Sequence, residues 1–305
     1  MITAASSCSG TTWAELLAQA RAGYASARLG QGRAADAVDH AQQAVALADL
    51  ADDDATLAHA YHLLDRAHTA LSDHAAAARH RDAALPVFAA LGDLAAQGTV
   101  LYDLGRDAQR AGRLEEALWL YGRSHDARAR AGDVLQVAAS ANAIGEVLLV
   151  LGRHDDAHAR FTEALRSWRG ARAPRGVAEA TCNLGVVAVR EGRHAEAVEL
   201  LEEAADLAAR VGADTLVDQA QLPLAEALLA SARYVEAWEA ASRMLGAASA
   251  DAAGTARRLR GEAPLRTGGI VRARVELAAA LEALDDPVAV AEVRGLLAES
   301  GTPAG

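Results

Sequence analysis

Lysine is missing from this chain: all 30 basic side chains among its 305 residues are arginine. That excludes a P-loop lysine, a Schiff-base lysine and a Ser-x-x-Lys nucleophile. Cysteine is scarce. Cys8 stands in a polar head and Cys182 in an expected helix, so neither a disulfide framework nor a zinc site is available, and a reducing cytoplasm fits. Aromatic residues make up 4%, and β-branched runs and Asn-Gly hairpin signals are few, which leaves little for sheets. No run approaches the ~20 apolar residues of a membrane-spanning helix. The start MITAASSCSG has neither a basic n-region nor an apolar h-region, so no membrane association is expected. A formal charge of −11 opposes the phosphate backbone, so nucleic-acid binding is not expected either.

What the chain has is alanine, leucine and a period. Hydrophobic residues reach 52%, dominated by the best helix formers. Ala37, Ala77, Ala117, Ala157, Ala197 and Ala237 each close a segment of the form small-Arg/polar-x-x-x-Ala, and each lies 40 residues after the last. A seventh copy closes at Ala273, 36 residues on. Self-similarity at such a period means stacked helical or supersecondary units. Inside the unit, Gly105, Gly145 and Gly185 each follow an aliphatic residue and stand 12 residues before the closing alanine. Small residues are needed there if two antiparallel helices cross closely. The stretches Ala141-x-x-Ile144-Gly145-x-x-Leu148 and Ala157-x-x-x-Phe161 resemble the tetratricopeptide frame, with smaller residues at its two aromatic sites.

The expected architecture is all-α: a right-handed α-solenoid of about seven tetratricopeptide helix pairs plus a C-terminal capping helix. Residues 1–12 read as a disordered head and 300–305 as a tail. Between them one solenoid, 13–299, is expected, with repeats at about 13–51, 54–92, 94–132, 134–172, 174–212, 214–247 and 251–284 and a capping helix over 286–299. Thr12-x-x-Glu15 predicts a capping box at the first helix, and Asp54 a cap on the third. Pro174 suits the first residue of a helix. Pro86, Pro223 and Pro264 fall inside helices and should kink or shorten them. Asp65 takes the site where later copies have glycine, so it should have a local polar partner, with His62, Arg66 and His68 nearest in sequence.

Few residues carry chemistry. His154 and His158 share a helix face but lack the Glu of H-E-x-x-H and a third ligand, so no metal is expected. No nucleophile and base come together, no enzyme activity is expected, and no cofactor is implied. In tetratricopeptide arrays the first helices line a concave face, and positions beside the small packing residues point into it. That resemblance assigns to a peptide-binding face His59, His62, Arg66, Tyr102, Arg106, Arg110, Asn142, Glu146, Glu179, Asn183, Arg190 and Glu226. Asn183, in Asn183-Leu184-Gly185, matches the asparagine with which such families hold a peptide backbone. Arg66, Arg106 and Arg110 would make a basic patch for an acidic side chain or peptide carboxylate, unless Arg106 pairs with Glu146.

The run of 40-residue units resembles the C-terminal tetratricopeptide regions of large bacterial signalling proteins that join a nucleotide cyclase and an AAA-type ATPase to such an array. The resemblance implies a regulatory scaffold or sensor segment that binds a protein or extended peptide, cytoplasmic and bacterial, within a longer signalling polypeptide. The alternative is a structural or self-assembling spacer with no groove ligand.

Overall fold

The computed structural model describes residues 12–245 and 250–301. Cys8, the rest of the head to residue 11 and the tail from 302 lie outside the described residues. Fifteen α-helices and no strand form among the described residues. They run α1 (Trp13–Gly30), α2 (Ala34–Ala51), α3 (Asp54–Ala70), α4 (His74–Ala90), α5 (Leu94–Arg110), α6 (Leu114–Ala131) and α7 (Val134–Val150). The series continues with α8 (His154–Gly170), α9 (Pro174–Arg190), α10 (His194–Arg210), α11 (Asp214–Ala230), α12 (Tyr234–Arg243), α13 (Ala250–Arg266), α14 (Ile270–Leu281) and α15 (Pro287–Gly301). Odd and even helices alternate as the first and second members of antiparallel pairs, and α15 packs on α14. The chain divides into two compact units, Met1–Ser140 and Ala141–Gly305.

The turn inside each pair is written in the sequence. Gly32, Ser72, Gly112, Gly152, Gly192 and Ala232 all take left-handed backbone. The next amide reaches back five residues to the first helix, as Arg113 N donates to Ala108 O at 2.9 Å and Arg193 N to Ala188 O at 2.8 Å. This Schellman closure satisfies carbonyls that the helix end would orphan. The residue that follows is usually arginine, and it pairs with an acid three positions on: Arg33 with Asp36, Arg113 with Glu116, Arg153 with Asp156, Arg193 with Glu196 and Arg233 with Glu236. These exposed pairs add little each, but they mark the start of five of the second helices alike.

The crossing within a pair follows one register. Residue i of the first helix meets residue i+16 of the second, and their sizes are complementary. A methyl added at Gly105 would stand 2.7 Å from Tyr121, at Gly145 2.6 Å from Phe161, at Gly185 2.6 Å from Leu201 and at Gly261 2.6 Å from Leu277. Elsewhere two alanines share the crossing, Ala25 with Ala41 and Ala225 with Ala241, all fully buried. Glycine opposite a large side chain, or alanine opposite alanine, keeps the interhelical volume filled at one spacing.

Asp65 and Arg81 occupy that register in the second pair. The partner of Asp65 is thus neither His62, Arg66 nor His68 but Arg81, whose Nη2 lies 2.6 Å from the carboxylate. A nearest-in-sequence search fails because pairing here runs between helices, at the offset that brings Gly145 to Phe161. One further expectation is corrected and another narrowed. The cap of α3 is Asp53, whose carboxylate accepts from Thr56 N at 3.0 Å, one residue before the expected Asp54. Pro223 and Pro264 lie inside full 17-residue helices, as does Pro86 in α4, so none is shortened. Proline removes one backbone bond, and neighbours packed along the helix hold the rest. The capping box stands as read, with Thr12 N donating to Glu15 at 2.6 Å and Glu15 N to Thr12 at 3.2 Å, and Pro174 opens α9.

Candidate functional site

In unit 2 the faces of α7 and α9 bring four of the expected residues into one network. Asn142, 3% exposed, donates both Nδ2 hydrogens, to Glu146 at 2.8 Å and to Glu179 at 2.9 Å. Its Oδ1 accepts from Asn183 Nδ2 at 3.0 Å. Both donors of the Asn142 amide are thereby used, and one of the two lone pairs of its oxygen. Asn183 is only half-buried and makes no other hydrogen bond among the described residues, so one of its N–H groups and its carbonyl oxygen remain available. A donor and an acceptor side by side on one amide match the C=O and N–H of an extended backbone. Burial pushes the Glu179 carboxyl above the ordinary glutamate value, with Arg175 opposing.

The remaining unit 2 residues divide. Arg190 is exposed at the end of α9 and has no carboxylate partner among the described residues. Glu226 is engaged: Arg258 lies 3.4 Å from it, 3.5 Å from Glu262 and 3.9 Å from Glu292. Cys182 neighbours the network, but burial pushes its thiol up to about 12, which leaves it no nucleophile at neutral pH.

In unit 1, His59 and His62 on α3 border a cleft of about 410 Å³ whose other walls include Phe88, Leu91, Ala96 and Val100. Desolvation lowers the His62 imidazole below its ordinary value, so it is neutral at pH 7. Arg66, one turn along α3, is exposed and unpaired among the described residues. The expected basic patch is otherwise compensated. Arg106 pairs with Asp103 in its own helix at 2.9 Å, and Arg110 lies 3.7 Å from Asp107. Acids three residues back reach these arginines along α5 itself, which the search for a partner in another repeat overlooked. Tyr102 is no open wall either: its ring packs on Tyr121 with centroids 5.1 Å apart, and the Arg128 guanidinium lies over it at 4.5 Å.

Two buried arginines organise unit 1 and were not singled out in the sequence. Arg81, 5% exposed, joins three helices by pairing with Asp65 of α3 and Asp107 of α5, and Thr69 bridges it to Asp65. Arg128 donates to Ser140 Oγ at 2.7 Å and Gln136 O at 3.2 Å. A signal existed for each. Asp65 breaks the glycine column, and Gly98 is the small residue that lets the Arg128 stem pass, since a methyl there would stand 2.6 Å from it.

Two models of the tetratricopeptide repeat match the chain, one over residues 93–170 and the other over 142–212. The chain carries tetratricopeptide repeats. Its fold is similar to that of a signal transduction ATPase with numerous domains that has a tetratricopeptide repeat sensor, from Pyrococcus horikoshii, at TM-score 0.72 and 15% identity over 93% of this chain. The match covers 44% of that longer protein. A tetratricopeptide repeat protein from Parabacteroides merdae matches at TM-score 0.61 and 13% identity, over 94% of this chain and all of that one. A Rap protein, in complex with competence and sporulation factor, matches at 0.55 and 14%, over 95% and 78%. At such identities the likeness is one of fold. No curated protein sequence matches.

Proposed function

We propose that this chain is a non-catalytic binding scaffold that holds an extended peptide or partner segment against its first helices. The observation that carries the reading is the half-satisfied Asn183 amide, held by an Asn142 whose donors are both engaged and offering a donor and an acceptor at once. In unit 2 the site comprises Asn142, Glu146, Glu179 and Asn183, with Arg190 as an uncompensated cation on the same helix as Asn183. In unit 1 the corresponding surface is His59 and His62 on the cleft wall with Arg66 one turn along α3, and Tyr102, Arg106 and Arg110 serve as structural neighbours more than as contacts. An acidic residue in the bound segment would find Arg66 or Arg190, since Arg106 and Arg110 already face carboxylates.

The likeness to a Rap protein in complex with competence and sporulation factor supports a protein or peptide ligand in general. The likeness to a signalling ATPase described as having a tetratricopeptide repeat sensor supports a sensor segment within a larger signalling protein. No helix among the described residues is long and apolar enough to cross a membrane. The experiment is selection of random linear peptides on the immobilised chain, repeated on the Asn183→Ala variant. Enrichment of peptides that the variant no longer retains is expected. Failure of any peptide to enrich on the wild-type chain would remove the groove ligand and leave a spacer.

A further inference from the structure

Between the sixth and seventh pairs the repeat is broken at three positions, and the three breaks meet at one cleft. Val198 of α10 and Leu228 of α11 share a core, each almost fully buried. One pair on, Trp238 of α12 takes the place of Val198, 40 residues later, and Pro264 of α13 that of Leu228, 36 later, the same shift as from Ala237 to Ala273. Both are only half-buried. A broad ring and a short one in place of valine and leucine leave a cleft of about 320 Å³, walled by Tyr234, Val235, Ala263 and Pro264 beside the Trp238 ring, together with Arg272 of α14.

The third break is one of charge. In five pairs the residue before the closing alanine is an acid that pairs with the arginine of the turn, as Glu236 does with Arg233. In the seventh pair Arg272 stands there, and the turn position three residues back is Gly269, which has no side chain to answer it. The first turn of α14 holds no acid. Arg272 is exposed, its guanidinium lies over the Trp238 ring at 4.3 Å, and no carboxylate pairs with it among the described residues. The other cation on that ring, Arg260 at 4.7 Å, is balanced by Glu276 at 2.9 Å. Glu239 stands on the ridge between this cleft and a polar one that holds Arg243, so Arg272 is the unanswered charge at the ring. Apolar walls, an aromatic face and a cation without its acid select a ligand with a flat apolar body and a negative charge. The volume is near the lower bound of ~300 Å³ for ligand pockets and admits a single ring system.

We propose that this cleft binds a small aromatic carboxylate, its ring against Val235, Pro264 and Trp238 and its carboxylate on Arg272. The site is separate from the residues assigned above to a peptide and does not rest on that reading. The indole N–H of Trp238 has no hydrogen-bond partner among the described residues, and its nuclear magnetic resonance signal, identified by its loss in Trp238→Phe, reports on the cleft. Phenylacetate, phenethylamine and acetate are titrated into the full chain. Phenylacetate is expected to shift that signal saturably, with the cation and the ringless acid each about tenfold weaker or more. Arg272→Gln should weaken phenylacetate about tenfold with circular dichroism unchanged, Glu239→Gln should tighten it, and Arg166→Gln, at an exposed arginine of α8, should leave it as it is. No saturable shift with phenylacetate overturns the proposal. So does an equal response to phenethylamine or acetate, an affinity that fails to fall in Arg272→Gln or to rise in Glu239→Gln, or an equal loss in Arg166→Gln.

Discussion

Arg81 is the side chain whose replacement tests the crossing register most severely. It is buried between Asp65 and Asp107, whose side chains are themselves largely covered. Arg81→Met keeps the length and the apolar stem but leaves two carboxylates without their shared cation; among the described residues Asp65 then keeps Thr69 at 3.4 Å, and Asp107 keeps Arg110 at 3.7 Å. Breaking a buried pair from one side costs about 3 to 5 kcal/mol. The register adds a sharper prediction. Arg81→Phe alone sets a ring against the Asp65 side chain, where even a methyl would stand 2.6 Å from Phe161 in the equivalent pair. Asp65→Gly alone removes one of the two acids and adds a helix-interior glycine at about 1 kcal/mol. The double variant Asp65→Gly/Arg81→Phe rebuilds the Gly145 and Phe161 crossing. It should therefore be more stable than Arg81→Phe, with a favourable coupling of about 2 kcal/mol or more between the two changes. Guanidinium titration by far-ultraviolet circular dichroism, with hydrogen exchange of α3 and α4 amides as the local readout, measures this. Additive effects of the two changes, or an Arg81→Met variant within about 1 kcal/mol of wild type, would refute the reasoning.

Gly145→Leu should cost about 1 to 3 kcal/mol or more by overpacking Phe161, whereas Gly122→Ala, where an added methyl meets nothing within 4 Å in α6, should gain about 0.5 to 1 kcal/mol; paired denaturant midpoints decide it. Ala232 holds left-handed backbone at φ 58, a position where glycine removes a strain of about 1 to 2 kcal/mol against a smaller unfolded-state entropy loss, so Ala232→Gly should raise the midpoint with the slope unchanged. Glu179 has its carboxyl raised by burial, so its ionised form opposes folding: the protonated form is favoured below the ordinary value of 4.5, and that advantage is lost as pH rises through the folded value. Glu179→Gln keeps an acceptor for Asn142 and should melt higher than wild type at pH 7, with the difference shrinking toward pH 4; an equal difference at both pH values would remove the burial argument.

The fold was legible because its signals repeat. A glycine column, an alanine column and a turn column recur at 40 residues, and each is a local necessity of close crossing or left-handed backbone. Deviations were less legible because compensation lies across helices: Asp65 reads as a defect until Arg81, sixteen residues on, is seen to fill the same crossing. The site was legible as a face but not as contacts. Asn142, Glu146, Glu179 and Asn183 were all named from position, yet that Asn142 spends both its donors on Glu146 and Glu179 while Asn183 keeps a donor and its carbonyl oxygen depends on rotamers that spacing does not fix. The arginines show the converse, since Arg106 and Arg110 sit as expected but their charges are met by Asp103 and Asp107 from the same helix.

The central claim is that Asn183 grips a peptide backbone. Titration calorimetry of a selected peptide against wild type and Asn183→Ala tests it directly. Two backbone hydrogen bonds lost at a half-buried site correspond to about 1 to 3 kcal/mol, a weakening of roughly 5- to 150-fold. The account predicts that loss with the helical fold intact, a melting temperature lowered only by the missing Asn183 donor to the buried Asn142 oxygen, and no comparable affinity loss for Arg106→Ala. Equal affinity for wild type and Asn183→Ala would contradict it.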